Sequence, residues 1–156
     1  MRTNLSKAYL LKDEAKSVPR ILESLFKERT VKVWDKRILE CRELINSRPE
    51  TKELFLLKFY SPEKRVSFGE VRKEIAAMNF QPGGIRDLLM LVLEENLSPG
   101  LYIALGYVYE DEAYGKGDSA VRYHPAVRIN EKGEISLTFV WVLSFLENEI
   151  GFVVKR

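Results

Sequence analysis

The sequence predicts an α+β protein: helices at the N-terminus, then one strand, two more helices and a four-strand antiparallel meander. Three observations carry this reading. Apolar residues recur at helical spacing in the first fifty residues and again between Val66 and Glu95. From Leu101 the apolar period drops to two, the signature of strands. Asn130-Glu131-Lys132-Gly133 suits a type I turn with glycine in the left-handed position, which closes a hairpin.

Taken in order, Ser17 followed by Pro19 marks a helix start, because proline in the first turn sacrifices no hydrogen bond. Ile21, Leu22, Leu25 and Phe26 form its stripe, and Asp35 caps a second helix carrying Ile38, Leu39, Cys41, Leu44 and Ile45. The polar stretch 46–53, with Pro49, separates an N-terminal helical segment (1–50) from an α+β domain (51–156). Leu54–Tyr60 is too short and apolar for a helix and reads as a buried strand. Ser67 and Glu70 form a capping box, with Val66 and Val71 placed as a hydrophobic staple. Residues 79–84 end that helix, and Ile85, Leu88, Leu89 and Val92 face inward from the next.

Strands follow at 101–109, 121–129, 134–143 and 149–155. In the second, Val121, Tyr123, Val127 and Ile129 alternate with Arg122, His124 and Arg128. The hairpin register sets Tyr123 opposite Trp141 and His124 opposite Val140.

The chain has 156 residues and a net charge of +2, but its charge is graded. Residues 1–50 carry twelve basic against eight acidic residues, and 101–156 carry six against eight. A single cysteine, Cys41, excludes an internal disulfide, and no apolar run reaches a membrane span, so a cytoplasmic location is expected.

The segments NFQPGGIRDLLML (79–91), ALGYVY (104–109), RYHPAV (122–127), ISLTFVW (135–141) and GFVVKR (151–156) resemble, in order and spacing, a family of small bacterial proteins without an assigned function. That family is more distantly similar to the C-type-lectin-like fold and its formylglycine-generating-enzyme-like branch. The resemblance implies that LFLLKFY pairs with GFVVKR, and that the role is ligand recognition through loops. It carries over no calcium, carbohydrate or catalytic residue.

Candidate sites are few. Arg122, His124 and Arg128, with Tyr102 from a neighbouring strand, make a polar face suited to a phosphate, a carboxylate or a nucleic-acid backbone. An ordinary solvent face of an amphipathic strand has the same pattern. Glu110, Asp111, Glu112 and Asp118 supply oxygens, but their spacing fits no calcium loop, so no metal is expected. His124 and Cys41 are the sole imidazole and thiol, and nothing in the pattern joins them. The turn at 81–86 precedes a helix start, where anions bind, but lacks the lysine and glycine spacing of nucleotide loops.

These readings lead to a non-enzymatic binding or interaction domain with an unidentified protein or small-molecule ligand and no cofactor. The alternative is a nucleic-acid-binding protein using Arg20, Lys27, Arg29, Lys32, Lys36, Arg37 and Arg42, with a winged-helix-like unit at 67–110. An enzyme of unknown class stands third. The 17 aromatic residues suit either a core or a homodimer face.

Overall fold

Two apolar runs, Leu54–Leu57 and Ile150–Val154, are buried along their whole length. Strands buried on both faces belong inside a sheet covered by helices on either side. The computed structural model, which describes residues 2–43, 49–117, 120–146 and 148–156, shows that arrangement.

Among the described residues nine strands form one mixed sheet. In chain order they are β1 (Arg2–Asp13), β2 (Val31–Val33), β3 (Glu50–Tyr60), β4 (Gln81–Pro82), β5 (Gly100–Ile103), β6 (Tyr109–Asp111), β7 (Val121–Ile129), β8 (Ile135–Trp141) and β9 (Ile150–Lys155). Their spatial order is β1-β3-β9-β5-β7-β8-β2, with β4 added to β9 and β6 to β7. The contacts β5–β9 and β2–β8 are parallel, and the other pairs are antiparallel.

Among the described residues three helices complete the layers: α1 (Val18–Glu28), α2 (Phe68–Ala77) and α3 (Ile85–Glu94). Helices α1 and α3 cover one face, where Ile21, Leu22, Leu25, Leu88 and Leu89 join Leu54, Leu56, Val127 and Val153. Helix α2 covers the other, where Phe68, Val71 and Ile75 meet Phe55, Leu57, Ala126, Phe152 and Val154.

Local sequence signals explain the helices. Ser17 accepts from the Arg20 N–H at the start of α1, with Pro19 in its first turn. The capping box of α2 closes in both directions between Ser67 and Glu70, above buried Val66 and Val71. The hairpin register also holds, with Tyr123 opposite Trp141 and His124 opposite Val140. Strands β3 and β9 pair antiparallel.

The expected overall class does not hold. The protein is dominated by its sheet, and neither the N-terminal helical region, the four-strand meander nor a C-type-lectin-like layout describes it. The region expected to be helical opens with β1, which pairs with β3 from Arg2↔Tyr60 to Asp13↔Glu50. Among the described residues there, α1 is the one full helix. Asp35 does act as a cap, but for a 3₁₀ turn at Lys36–Glu40, and the chain is extended again at Cys41. Leu44 and Ile45 lie outside the described residues, as do residues 46–48 of the expected boundary at 46–53, whose last four residues belong to β3.

The meander fails because β9 does not remain beside β8. Its side chains are apolar in both directions, so it inserts between β3 and β5, where both faces are covered. The expected strand 101–109 is also interrupted. Gly106 donates to the Gly83 carbonyl at 2.9 Å, so near that its own Cβ would lie 2.6 Å from the Pro82 carbonyl oxygen.

The central strand leaves no room at Gly151, where an added Cβ would sit 2.5 Å from the Tyr102 ring. Gly151→Ala is therefore expected to lower the unfolding free energy by about 1–3 kcal/mol in urea titration. Gly69, on the first turn of α2, has only the Ser67 hydroxyl at 3.7 Å. Gly69→Ala should instead stabilise by roughly 0.5 kcal/mol, through backbone entropy. A neutral Gly151→Ala would contradict the packing of β9 beneath Tyr102.

Candidate binding groove

The chain must return from β8, near one side of the sheet, to β9 in its middle. Residues 142–146 begin that crossing beside the start of α2. The Leu146 N–H donates to the Val66 carbonyl at 2.8 Å, and Ser67 and Phe145 form an isolated antiparallel bridge. Between this crossing and the sheet lies a groove of about 510 Å³. Phe68, Leu101, Val140 and Ile150 line it, together with Arg65 and Arg128.

The groove combines apolar side chains with a charged margin of Arg65, Arg128 and Glu149. Trp141, Leu143 and Phe145 line it too and remain 50%, 62% and 39% exposed, high values for such large apolar groups. The Arg65 guanidinium stacks over the Phe145 ring, 4.8 Å from its centre. Arg128 lies on β7 opposite Leu101 and Ser136 and is exposed. At one end Lys58 pairs with Glu149 at 3.2 Å.

The four residues expected to bind ligand do not converge. Arg128 alone lines the groove. Arg122 is held by Glu110 at 2.9 Å and the Gly117 carbonyl at 3.2 Å. His124 is not on a solvent face; it is buried under α2 beside Phe68, with Nδ1 2.8 Å from the Tyr107 carbonyl oxygen. The alternation of β7 holds, but its polar face is covered by the start of α2 at His124, while Arg128 stays exposed. Tyr102 lies on the opposite face of the sheet, buried, its hydroxyl donating to the Ser98 carbonyl at 2.7 Å.

The basic residues of the first fifty are divided. Arg29 closes the C-terminal end of α3, donating to the Val92, Leu93 and Glu95 carbonyls and to Asn96. Arg37 bridges Asp35 and Asp111 beneath the Tyr123 ring, and Arg42 donates to the Leu39 and Cys41 carbonyls. Arg20, Lys27, Lys32 and Lys36 remain exposed. Helix α3 is buried from Ile85 to Val92 and offers no face to a DNA groove.

The acidic loop is also committed. Glu110 pairs with Arg122, while Asp111 caps the 3₁₀ turn at Glu112–Tyr114 and binds Arg37. Asp118 lies outside the described residues. Among those residues, no three His, Cys, Asp or Glu side chains group as metal ligands. The start of α3 is served by the protein's own carboxylates: Asp87 accepts from the Gly84 N–H at 3.0 Å and Glu43 from the Arg86 N–H at 3.2 Å. Cys41 and His124 sit in different cores on opposite faces of the sheet, His124 packing on Phe68. Burial pushes the thiol up to about 11 and the imidazole down to about 4.

Compared with protein-family models, curated proteins and solved structures, the chain matches none of them. Among the described residues no helix is long and apolar enough to cross a membrane.

Sequence reasoning missed Arg65, Phe68, Leu143 and Phe145. One signal was available: Val142-Leu143 continues apolar past Trp141, the last residue of β8 paired with β7.

The buried imidazole has a consequence for pH. Its folded pKa is about 4 against an ordinary 6.5, so the unfolded chain binds the extra proton between those values. Stability is complete above pH 6.5 and falls as pH drops towards 4, by about 3 kcal/mol at most. His124→Gln should flatten the difference in unfolding free energy between pH 7 and pH 4.5, measured by urea titration. Glu43, whose carboxyl is pushed up by burial, acts in the opposite sense in both proteins and cancels in the comparison. Parallel profiles for the two proteins would show that His124 is not buried neutral.

Proposed function

We propose that the protein is a non-catalytic binding module that takes a small anionic ligand with an apolar body into the groove beside α2. The observation that carries this is Arg128 and Arg65 on a cleft that also exposes Trp141, Leu143 and Phe145. Its volume of about 510 Å³ falls in the range of small-molecule sites. Arginine's planar fork suits a carboxylate, phosphate or sulfonate, and the surrounding side chains suit the apolar remainder. Neighbouring exposed apolar groups of this size mark interaction sites more often than chance exposure does.

Other features support binding rather than turnover. The thiol and the imidazole are separated by the sheet, and each is shifted away from the range useful at neutral pH. Three of the seven basic residues suited to nucleic acid brace helix ends, loops or carboxylates, which favours the groove over a nucleic-acid surface.

The test uses 8-anilinonaphthalene-1-sulfonate, an anion with an aromatic body. A Trp34→Phe background leaves Trp141 as the only tryptophan, so quenching of its emission reports the groove. The expected result is saturable quenching with a tenfold weaker dissociation constant in Arg128→Ala, about 1.4 kcal/mol. Partial recovery is expected in Arg128→Lys and no change in Arg20→Ala. Absence of quenching, or affinity indifferent to Arg128, would remove this reading.

A further inference from the structure

Strand β1 is one edge of the sheet, and among the described residues nothing pairs with its outer side. At 12 residues it presents an open hydrogen-bonding edge roughly 40 Å long. Unpaired edges of this length attract other strands and are normally covered or guarded. This one carries two prominent apolar side chains, Leu5 at 56% and Leu10 at 71% exposure.

The bulge in β1 gives these residues a shared orientation. The register against β3 shifts between Leu5 and Lys7, so Leu5, Ala8 and Leu10 oppose Leu57, Phe55 and Glu53, alternate positions on one face of β3. In a regular strand, residues five apart would point to opposite faces. Here Leu5 and Leu10 point the same way.

That irregularity makes the edge complementary to itself. When two copies of β1 run antiparallel about a twofold axis at Ala8, Lys7 meets the second copy's Tyr9. With Ser6 as the extra residue, Leu5 meets Leu10, Asn4 meets Leu11, Thr3 meets Lys12 and Arg2 meets Asp13. In every pair the two residues lie on the same face, as the β3 register assigns them. No like charges oppose each other, and Arg2 meets an acid at each end. The smallest side chain of the segment occupies the axis. Lys7 already stacks on Tyr9 within its own strand, 5.0 Å from the ring centre, and the second copy repeats that pairing across the seam.

We propose that β1 joins two copies of this chain edge to edge, in this register, into one continuous sheet. A seam one strand wide buries little area, so the dimer is a reversible one with a dissociation constant in roughly the micromolar range.

Sedimentation velocity over a concentration series should show the mass rising from 18.1 kDa towards twice that value. Leu5→Lys and Leu10→Glu should each weaken association about tenfold, and the double variant should recover it by pairing lysine with glutamate across the seam. Ala8→Cys should give a disulfide-linked dimer on mild oxidation, because directly opposed residues lie within disulfide reach. The wild type, whose Cys41 is buried, should give none. A monomer at all concentrations would overturn the proposal. A dimer indifferent to Leu5 and Leu10, a double variant no better than the singles, or an Ala8→Cys variant that forms no crosslink would do the same.

Discussion

The buried carboxylate of Asp87 holds together elements that the sequence keeps far apart. It sits in the first turn of α3, 1% exposed, and receives Lys52 of β3 at 2.8 Å and Lys155 of β9 at 3.3 Å. Lys52 also reaches Asp13 at the end of β1, and Asp13 in turn receives Arg86 at 2.8 Å. Burial alone would push the Asp87 carboxyl up. The Lys52 hydrogen bond, the two lysine charges and the Gly84 N–H outweigh burial and hold it below the usual range. Loss of one partner from such a group costs about 3–5 kcal/mol, because the other charge remains buried and unpaired. The network thus supplies geometry more than net energy: α3 can seat only where strands 1, 3 and 9 are neighbours.

Against that constraint, the legible and illegible parts of the fold separate by range. Helix α1, the capping box of α2, helix α3 and the β7–β8 hairpin are written in residues a few positions apart, and each forms where those residues place it. The place of β9 is decided by pairing across the length of the chain. Its apolar run said that both faces are covered, but not which strands flank it. Strand β1 was hidden for a different reason. Its alternation of Tyr9, Leu11 and Asp13 with Leu10 and Lys12 is broken by the bulge before Lys7, so neither face reads continuously. At three residues, β2 is too short to show a period at all.

The candidate site was legible only at Arg128. The alternation of β7 correctly set Arg122, His124 and Arg128 on one side, and a polar side ordinarily means solvent. Here the start of α2 covers that side at His124, and the single histidine becomes a buried neutral group bonded to a carbonyl instead of a ligand-binding one. Nothing within β7 announces that cover. It follows from where α2 is anchored, at Ser67 and Phe68, against the crossing chain at 144–146.

The groove itself follows from the order of the strands. Because β9 is pulled to the centre, the chain leaving β8 has to travel back across the end of β7 and β5 before it can enter the sheet. A crossing segment that served only as a connection would be polar, since it lies on the surface. This one carries Leu143, Phe145 and Leu146, and only Leu146 finds a place in the core. The other two stay at the margin, with Arg65 stacked on Phe145 and Arg128 on the strand beneath. Topology explains why a cleft exists at this position. It does not explain why the cleft exposes apolar side chains with arginines at its edge, and that residue choice is what the proposed ligand would account for.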